Sequence, residues 1–209
     1  MISFKRVPLN ISMKKVADAV LNLRALWQSR SDAFPFYTLG KSAYLDGKTQ
    51  EYFSEAEDLN PVLMRDFKPL YDKVASALSE ELGEKVFIKL GLALPAFHIF
   101  PSDKKLLSIS GNWHIDIPHI TLGVGDKDAS AFTVPVMLPT GGGGMEFSES
   151  SEFMEEDEYC SYVVGQMILH DGKTLHRISS YKKYKPDEYR ITLQGHVVRD
   201  SKNNLIMFW

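Results

Sequence analysis

Trp113-His114-Ile115-Asp116 is the segment of this chain best suited to chemistry, taken together with His176 and with Arg190-Ile191-Thr192. In an extended segment residues i and i+2 share a face, so His114 and Asp116 would aim an imidazole and a carboxylate at one point. A second imidazole from downstream, His176, would complete a two-histidine, one-carboxylate set. Such a set binds a ferrous ion on one side and leaves its other positions open for substrate chemistry. His-x-Asp alone means little in a chain with 6 histidines. A hydrogen-bonded polar pair on a sheet surface would read the same way.

The remaining residues carry more weight. His176 follows Asp116 by 60 residues, and Arg190 follows His176 by 14. Arg190, Thr192, Gln194 and His196 have one parity and should line one face of a strand. A buried arginine is costly unless an anion compensates it. A guanidinium fork beside a hydroxyl suits a carboxylate gripped at two points. The plainer alternative pairs Arg190 with a surface acid.

These residues need elements to hold them. Val16, Val20, Leu23 and Trp27 give one apolar stripe on a helix of roughly four turns. Asn60-Pro61 reads as an N-cap with proline at the first helical position, and Pro69 as a restart. Leu70, Val74, Leu78 and Leu82 form the next stripe, closed by Gly83 as a left-handed C-cap. Beyond residue 85 short apolar or alternating runs take over: 86–90, 96–100, 105–110, 113–122, 131–138, 145–148, 162–169, 174–178 and 189–198. Their spacing predicts an antiparallel sandwich or barrel. Phe34 to Leu45 offers one further strand. Asp171-Gly172 is a tight-hairpin signal. The acidic stretch Glu149 to Glu158 reads as a solvated loop. Gly141 to Gly144 lacks the Lys-Ser/Thr of a phosphate loop and reads as a turn into Met145–Phe147. Trp113, of opposite parity to His114, should pack behind the metal-binding segment. The apolar Leu205 to Trp209 reads as a docked tail, with an oligomer contact as the sharper alternative.

The expected architecture is a single α+β domain over 1–209, with a mainly helical flanking part (1–85) and a β-rich core (86–198). Hydrophobic residues make up 44% and charged residues 24%, as in ordinary globular chains. The net charge of -3 and pI near 6.1 provide no broad basic field, so nucleic acid is not expected as a partner. A lone cysteine, Cys160, fits a reducing, cytoplasmic setting, and no apolar run is long enough to suggest a membrane span.

Four segments in this order carry a family resemblance: Gly111-Asn-Trp-His-Ile-Asp116, Gly141-Gly-Gly-Gly-Met-Glu-Phe147, Gly165-Gln-Met-Ile-Leu-His-Asp-Gly-Lys-Thr-Leu-His-Arg177 and Arg190-Ile-Thr-Leu-Gln-Gly195. Together they resemble the Fe(II)/2-oxoglutarate-dependent oxygenases, whose core is a double-stranded β-helix (jelly-roll, cupin-like). The resemblance covers roughly 95–198. It implies that His114, Asp116 and His176 bind the metal and are the catalytic centre, and that Arg190 with Thr192 holds the far carboxylate of 2-oxoglutarate. It also implies the use of O2, release of succinate and CO2, and hydroxylation of an unactivated C–H bond. Related halogenases have a small residue in place of the carboxylate; Asp116 points instead to hydroxylation, desaturation or ring formation.

Within that pattern His170 competes with His176 as the distal ligand, and His176 sits where the ligand belongs. Asn112, His119, Phe147, Gln194 and His196 are the candidate substrate or pocket residues, with His119 placed at the pocket rim or on the surface. His98 and His196 read as core or pocket-edge histidines. A small-molecule substrate is expected, an amino acid or natural-product intermediate. The alternatives are a protein side chain, as for prolyl- or aspartyl/asparaginyl-hydroxylases, or a cupin-type metalloenzyme that does not use 2-oxoglutarate. A decayed, non-catalytic jelly-roll binding module is a third class.

Overall fold

Alternation along residues 189–199 organises the molecule. Ile191, Leu193 and Val197 turn one way into an apolar core, while Arg190, Thr192, Gln194 and His196 turn the other way. The computed structural model describes residues 4–31, 35–125, 127–149 and 158–209. Its elements run β1 (Phe4–Pro8), α1 (Met13–Asn22), β2 (Gln28–Ser31), β3 (Pro35–Leu39), α2 (Ala43–Asp46), α3 (Gln50–Leu82), β4 (Val86–Ile88) and β5 (Ala96–Pro101). There follow α4 (Pro118–Leu122), β6 (Lys127–Met137), β7 (Gly144–Ser148), β8 (Glu158–Ser161), β9 (Gln166–Asp171), β10 (Leu175–Ile178), β11 (Tyr189–Arg199) and β12 (Leu205–Phe208).

Among the described residues nine strands form one sheet in the order β1-β9-β6-β11-β5-β3-β2, with β12 and then β4 branching from β11. A second sheet holds three strands, β10-β7-β8. All the pairings are antiparallel except β12 with β4. Two antiparallel sheets around a cavity make the expected jelly-roll core. Helices α1 and α3 cover the outer face of the large sheet, where Val16, Val20, Leu63, Phe67, Leu70 and Val74 meet Phe97, Ile99, Phe132, Ile191 and Leu193. The first 85 residues therefore supply strands as well as helices.

Several expectations change in detail. Helix α1 has 10 residues, shorter than expected. Trp27 lies beyond it, where its indole N–H donates to the Val20 carbonyl at 3.1 Å and so satisfies one of the end carbonyls. Asn60-Pro61 does not start a helix and Pro69 does not restart one, because α3 runs unbroken for 33 residues from Thr49, whose Oγ1 accepts from Tyr52 N. The Asn60 carboxamide instead binds the Leu92 carbonyl and the Leu94 N–H at 2.8 and 3.0 Å. Both prolines sit on the exposed side, where the carbonyls they leave free meet water. Burial of Leu63, Phe67, Leu70, Val74 and Leu78, at about 1.5–3 kcal/mol each, outweighs roughly 3 kcal/mol per proline. Gly83 closes the helix at φ 70°, the left-handed cap its position predicts.

Residues 105–110 do not form a strand. Asp103 Oδ1 accepts from Lys105 N at 2.8 Å and starts a short helical turn, Lys104–Leu107. The run 162–169 resolves into β8 before it and β9 from Gln166, with Gly165 turning at φ 80°. Asp171-Gly172 does not close a hairpin, since β9 belongs to the large sheet and β10 to the small one. Asp171 Oδ1 instead accepts from Lys173 N at 2.8 Å as the chain crosses between sheets. Of Phe34 to Leu45, β3 takes Pro35–Leu39; Phe34 lies outside the described residues, as does most of the acidic stretch 149–158. The apolar tail is strand β12, paired on both edges, and its side chains are buried within the chain, so it offers no apolar face to a second copy.

Candidate active site

The segment 113–122 is not the strand its alternation predicts. It makes a single antiparallel bridge to β10, with His114 N donating to His176 O at 3.0 Å and His176 N to His114 O at 2.9 Å. Gly111 N to Ile178 O (2.9 Å) and Asp116 N to Gly172 O (2.7 Å) extend the contact on either side. A Cβ on Gly111 would lie 2.8 Å from the Ile178 side chain, so glycine lets the two segments approach. Pro118 then ends the extension, since it lacks an N–H and begins helix α4 at its first turn. The backbone is extended for long enough to turn His114 and Asp116 to one side, facing His176.

Among the described residues, His114, Asp116 and His176 form a group whose ligand atoms lie within 4.8 Å of one another. Asp116 Oδ2 is 3.4 Å from His176 Nε2, and the two imidazole rings are 4.4 Å apart. His114 Nδ1 lies 2.8 Å from the Asn112 carbonyl oxygen, and His176 Nδ1 lies 2.8 Å from that of Thr174. A carbonyl only accepts, so each Nδ1 carries the hydrogen and each neutral ring keeps its Nε2 lone pair for a metal. Burial alone would raise the Asp116 carboxyl, but the His196, His176 and His170 imidazoles outweigh it and hold the group below the ordinary carboxylate range. Burial lowers His176, yet its contact with Asp116 overrides this and raises it. With the Nε2 proton that Asp116 favours on His176 displaced, two imidazole nitrogens and an ionised oxygen are the donor set a divalent metal needs.

Arg190 is 1% exposed and sits between two rings, its guanidinium 4.4 Å over Phe100 and 5.0 Å from Tyr181. Among the described residues its Nη1 reaches only the Ser179 carbonyl, at 3.4 Å, and its buried Nη2 has no partner. Ser179 Oγ, Tyr162 Oη and Tyr181 Oη, on or near the same guanidinium, are also buried without partners. A cation with one unanswered donor of its own and three unanswered hydroxyls on or near it fits an incoming carboxylate, because such groups are expensive to leave unmade. Thr192 is buried on the same strand face, opposite His98.

A cavity of about 260 Å³ opens on His114, Asp116 and His176 and is lined from both sheets. Asn112, Gln194 and His196 line it, as do His98 and His170. Two expected pocket residues do not. Phe147 is fully buried behind the ligands, stacked 5.3 Å from Phe4 and 6.1 Å from His176. His119 is neither on the rim nor on the surface: it is 2% exposed on α4, away from the cavity lining. His170 packs 4.5 Å from the His176 ring but stays outside the ligand group. Trp113 lies behind, under the Arg177 guanidinium at 4.3 Å. Tyr44, Phe36 and Trp209, which no motif marks in the sequence, also wall the cavity. Trp209 reads as a tail residue until β12 is placed.

No protein-family model and no curated protein matches the chain. Solved structures do. The epimerase SnoN from nogalamycin biosynthesis, described as non-heme and alpha ketoglutarate dependent, aligns at TM-score 0.56 and 15% identity over 93% of this chain and 77% of its own. AviO1 from Streptomyces viridochromogenes Tue57 aligns at 0.57 and 11% identity, over 93% and 89%. An N-substituted L-amino acid dioxygenase from Burkholderia ambifaria AMMD aligns at 0.52 and 14% identity, over 81% and 73%. SnoN has also been solved with Fe3+ and alpha ketoglutarate. This chain therefore has the jelly-roll fold shared with non-heme, 2-oxoglutarate-dependent enzymes.

Proposed function

We propose that this protein is an Fe(II)/2-oxoglutarate-dependent oxygenase that oxidises an unactivated C–H bond of a small molecule, by hydroxylation or a related outcome, with release of succinate and CO2. The observation that carries the reading is the pairing of two sites: a His114, Asp116, His176 donor set, and a buried Arg190 with unanswered donors nearby. In this reading His114, Asp116 and His176 hold the metal from one side, through two Nε2 atoms and one carboxylate oxygen. The Asn112 and Thr174 carbonyls fix the ring orientations. Arg190, with Thr192 beside it, takes the far carboxylate of 2-oxoglutarate and sets its direction. When bound, iron, 2-oxoglutarate and O2 supply the oxidising power, and the protein supplies geometry and a small enclosed space. That space, about 260 Å³, suits a small molecule better than an intact protein chain.

The test is succinate formation from 2-oxoglutarate with added Fe(II), compared between the wild type and Asp116→Ala. Loss of one of three ligands should lower turnover by on the order of 100-fold or more. Full turnover in the variant, or turnover without 2-oxoglutarate, would overturn the assignment.

A further inference from the structure

We infer that the substrate of this site is an uncharged molecule carrying a flat ring, held against an aromatic wall formed by Phe36, Tyr44, His98, Phe100 and Trp209. The inference rests on the oxygenase reading for the position of the cosubstrate and narrows the substrate class. Phe36 stacks on Phe100 with centroids 5.0 Å apart at 14°, and meets the His98 ring edge-on at 5.4 Å and 88°. Tyr44 Oη is 2.6 Å from His98 Nε2. The Trp209 ring lies 4.9 Å from His98 and 6.4 Å from Tyr44. These rings pack against one another, so the wall is continuous and fixed, the surface against which a flat apolar group loses most water.

The charges in the cavity point the same way. Among the described residues that line it there is no lysine, arginine or glutamate, and Asp116 is the one carboxylate. The proposed metal takes Asp116, and the proposed cosubstrate runs from that metal past Phe100 to Arg190, so neither charge is left for a substrate. His98 is neutral at ordinary pH, since burial and the nearby Arg190 cation push it down to about 3. The polar side-chain atoms left for a substrate belong to Asn112, Thr133, His170, Gln194 and His196, which suit hydroxyl, carbonyl or ether groups. An ammonium or carboxylate brought here would lose its hydration and gain no ionic partner. A free amino acid, with one of each, is therefore the wrong class for this cavity.

The test uses four probes that share a phenyl ring and differ in charge: 2-phenylethanol, 2-phenylethylammonium, phenylacetate and L-phenylalanine. Binding is measured by titration calorimetry on the full chain, with and without Mn(II) and 2-oxoglutarate. The alcohol should bind at least about tenfold more tightly than each charged probe, a difference of roughly 1.4 kcal/mol. Trp209→Leu should weaken the alcohol by about tenfold. Because that buried substitution can impair folding, Gln194→Glu gives a second reading: a carboxylate in the cavity should strengthen 2-phenylethylammonium by about tenfold, leave the alcohol unchanged and weaken phenylacetate. A charged probe that equals the alcohol in the wild type, or no binding by any probe, overturns the inference. Mn(II) and 2-oxoglutarate binding in the same samples separates the two claims. If both bind while charged probes are preferred, the substrate class is wrong and the oxygenase reading stands. If neither binds, the oxygenase reading falls, and the inference, which needs the cosubstrate on Arg190, falls with it.

Discussion

Arg190 shows how a buried cation can be braced by its neighbours and still have a donor to spare. Its guanidinium lies against Phe100 and Tyr181, which hold its plane, while Nη2 has no partner. Arg190→Lys keeps the charge but loses the fork and the stacking, so it is not conservative here. Losing charged hydrogen bonds worth about 2–3 kcal/mol should raise the KM for 2-oxoglutarate roughly 30- to 150-fold, with a smaller fall in kcat at saturation. Steady-state succinate assays read this directly, and an unchanged KM would remove Arg190 from the role. His98 supports a second prediction. Its folded pKa, about 3, lies below its ordinary value of 6.5 because burial disfavours the cation. As pH falls below 6.5 the unfolded chain therefore takes up a proton that the folded chain refuses, and stability is lost on acidification. At pH 5 the loss from this group is about 2 kcal/mol. Urea midpoints at pH 7.5 and 5 should show a shallower drop in His98→Gln by about that amount.

At the scale of elements, α3 is the clearest conflict between local signals and the fold. Pro61 and Pro69 lie inside a continuous helix and face solvent, so each removes a backbone hydrogen bond without aiding the core. Pro69→Ala should stabilise the protein by about 1–3 kcal/mol, less whatever proline gives by stiffening the unfolded chain, and thermal unfolding measures it. A lower midpoint would show that the proline shapes the helix for its packing. The same helix marks what the sequence makes legible. The stripe Leu70, Val74, Leu78 and its Gly83 cap were readable because periodicity and a left-handed cap are local properties. The α3 start was not readable, because Asn60 looks like a cap until its partners, Leu92 and Leu94, are known. Along β11 the parity of Arg190, Thr192, Gln194 and His196 was readable for the same local reason. The turn at Asp171-Gly172 misled, because a turn signal does not say which sheet the chain enters next. At the site, the convergence of His114, Asp116 and His176 followed from motif order. The aromatic wall did not, because Phe36, Tyr44 and Trp209 come from three separate stretches joined only by tertiary pairing.

At the scale of the whole molecule the proposed ligands connect the two sheets. His176 stands on β10 of the small sheet and His114 is bridged to it, while Arg190 and Thr192 stand on β11 of the large sheet. A metal on the first group and a dicarboxylate reaching the second would tie the sheets across the cavity. Asp116 and His176 face each other at 3.4 Å on one side of the cavity, and Arg190 Nη2 is unpaired on the other. Binding to the folded state alone adds about 2.7 kcal/mol when a ligand is present at 100 times its Kd. For a chain of this length that corresponds to a rise in Tm of roughly 5–10 °C. Mn(II) should raise Tm on its own, since its donor set is already assembled. 2-Oxoglutarate alone should do little, because only one of its ends finds a partner. The two together should exceed the sum of their separate effects, because each then binds a protein that the other has completed. Thermal melts of the wild type with each ligand singly and with both measure this. In Asp116→Ala the Mn(II) shift and the excess should both vanish. An excess that persists without Asp116 would place the metal elsewhere in the fold.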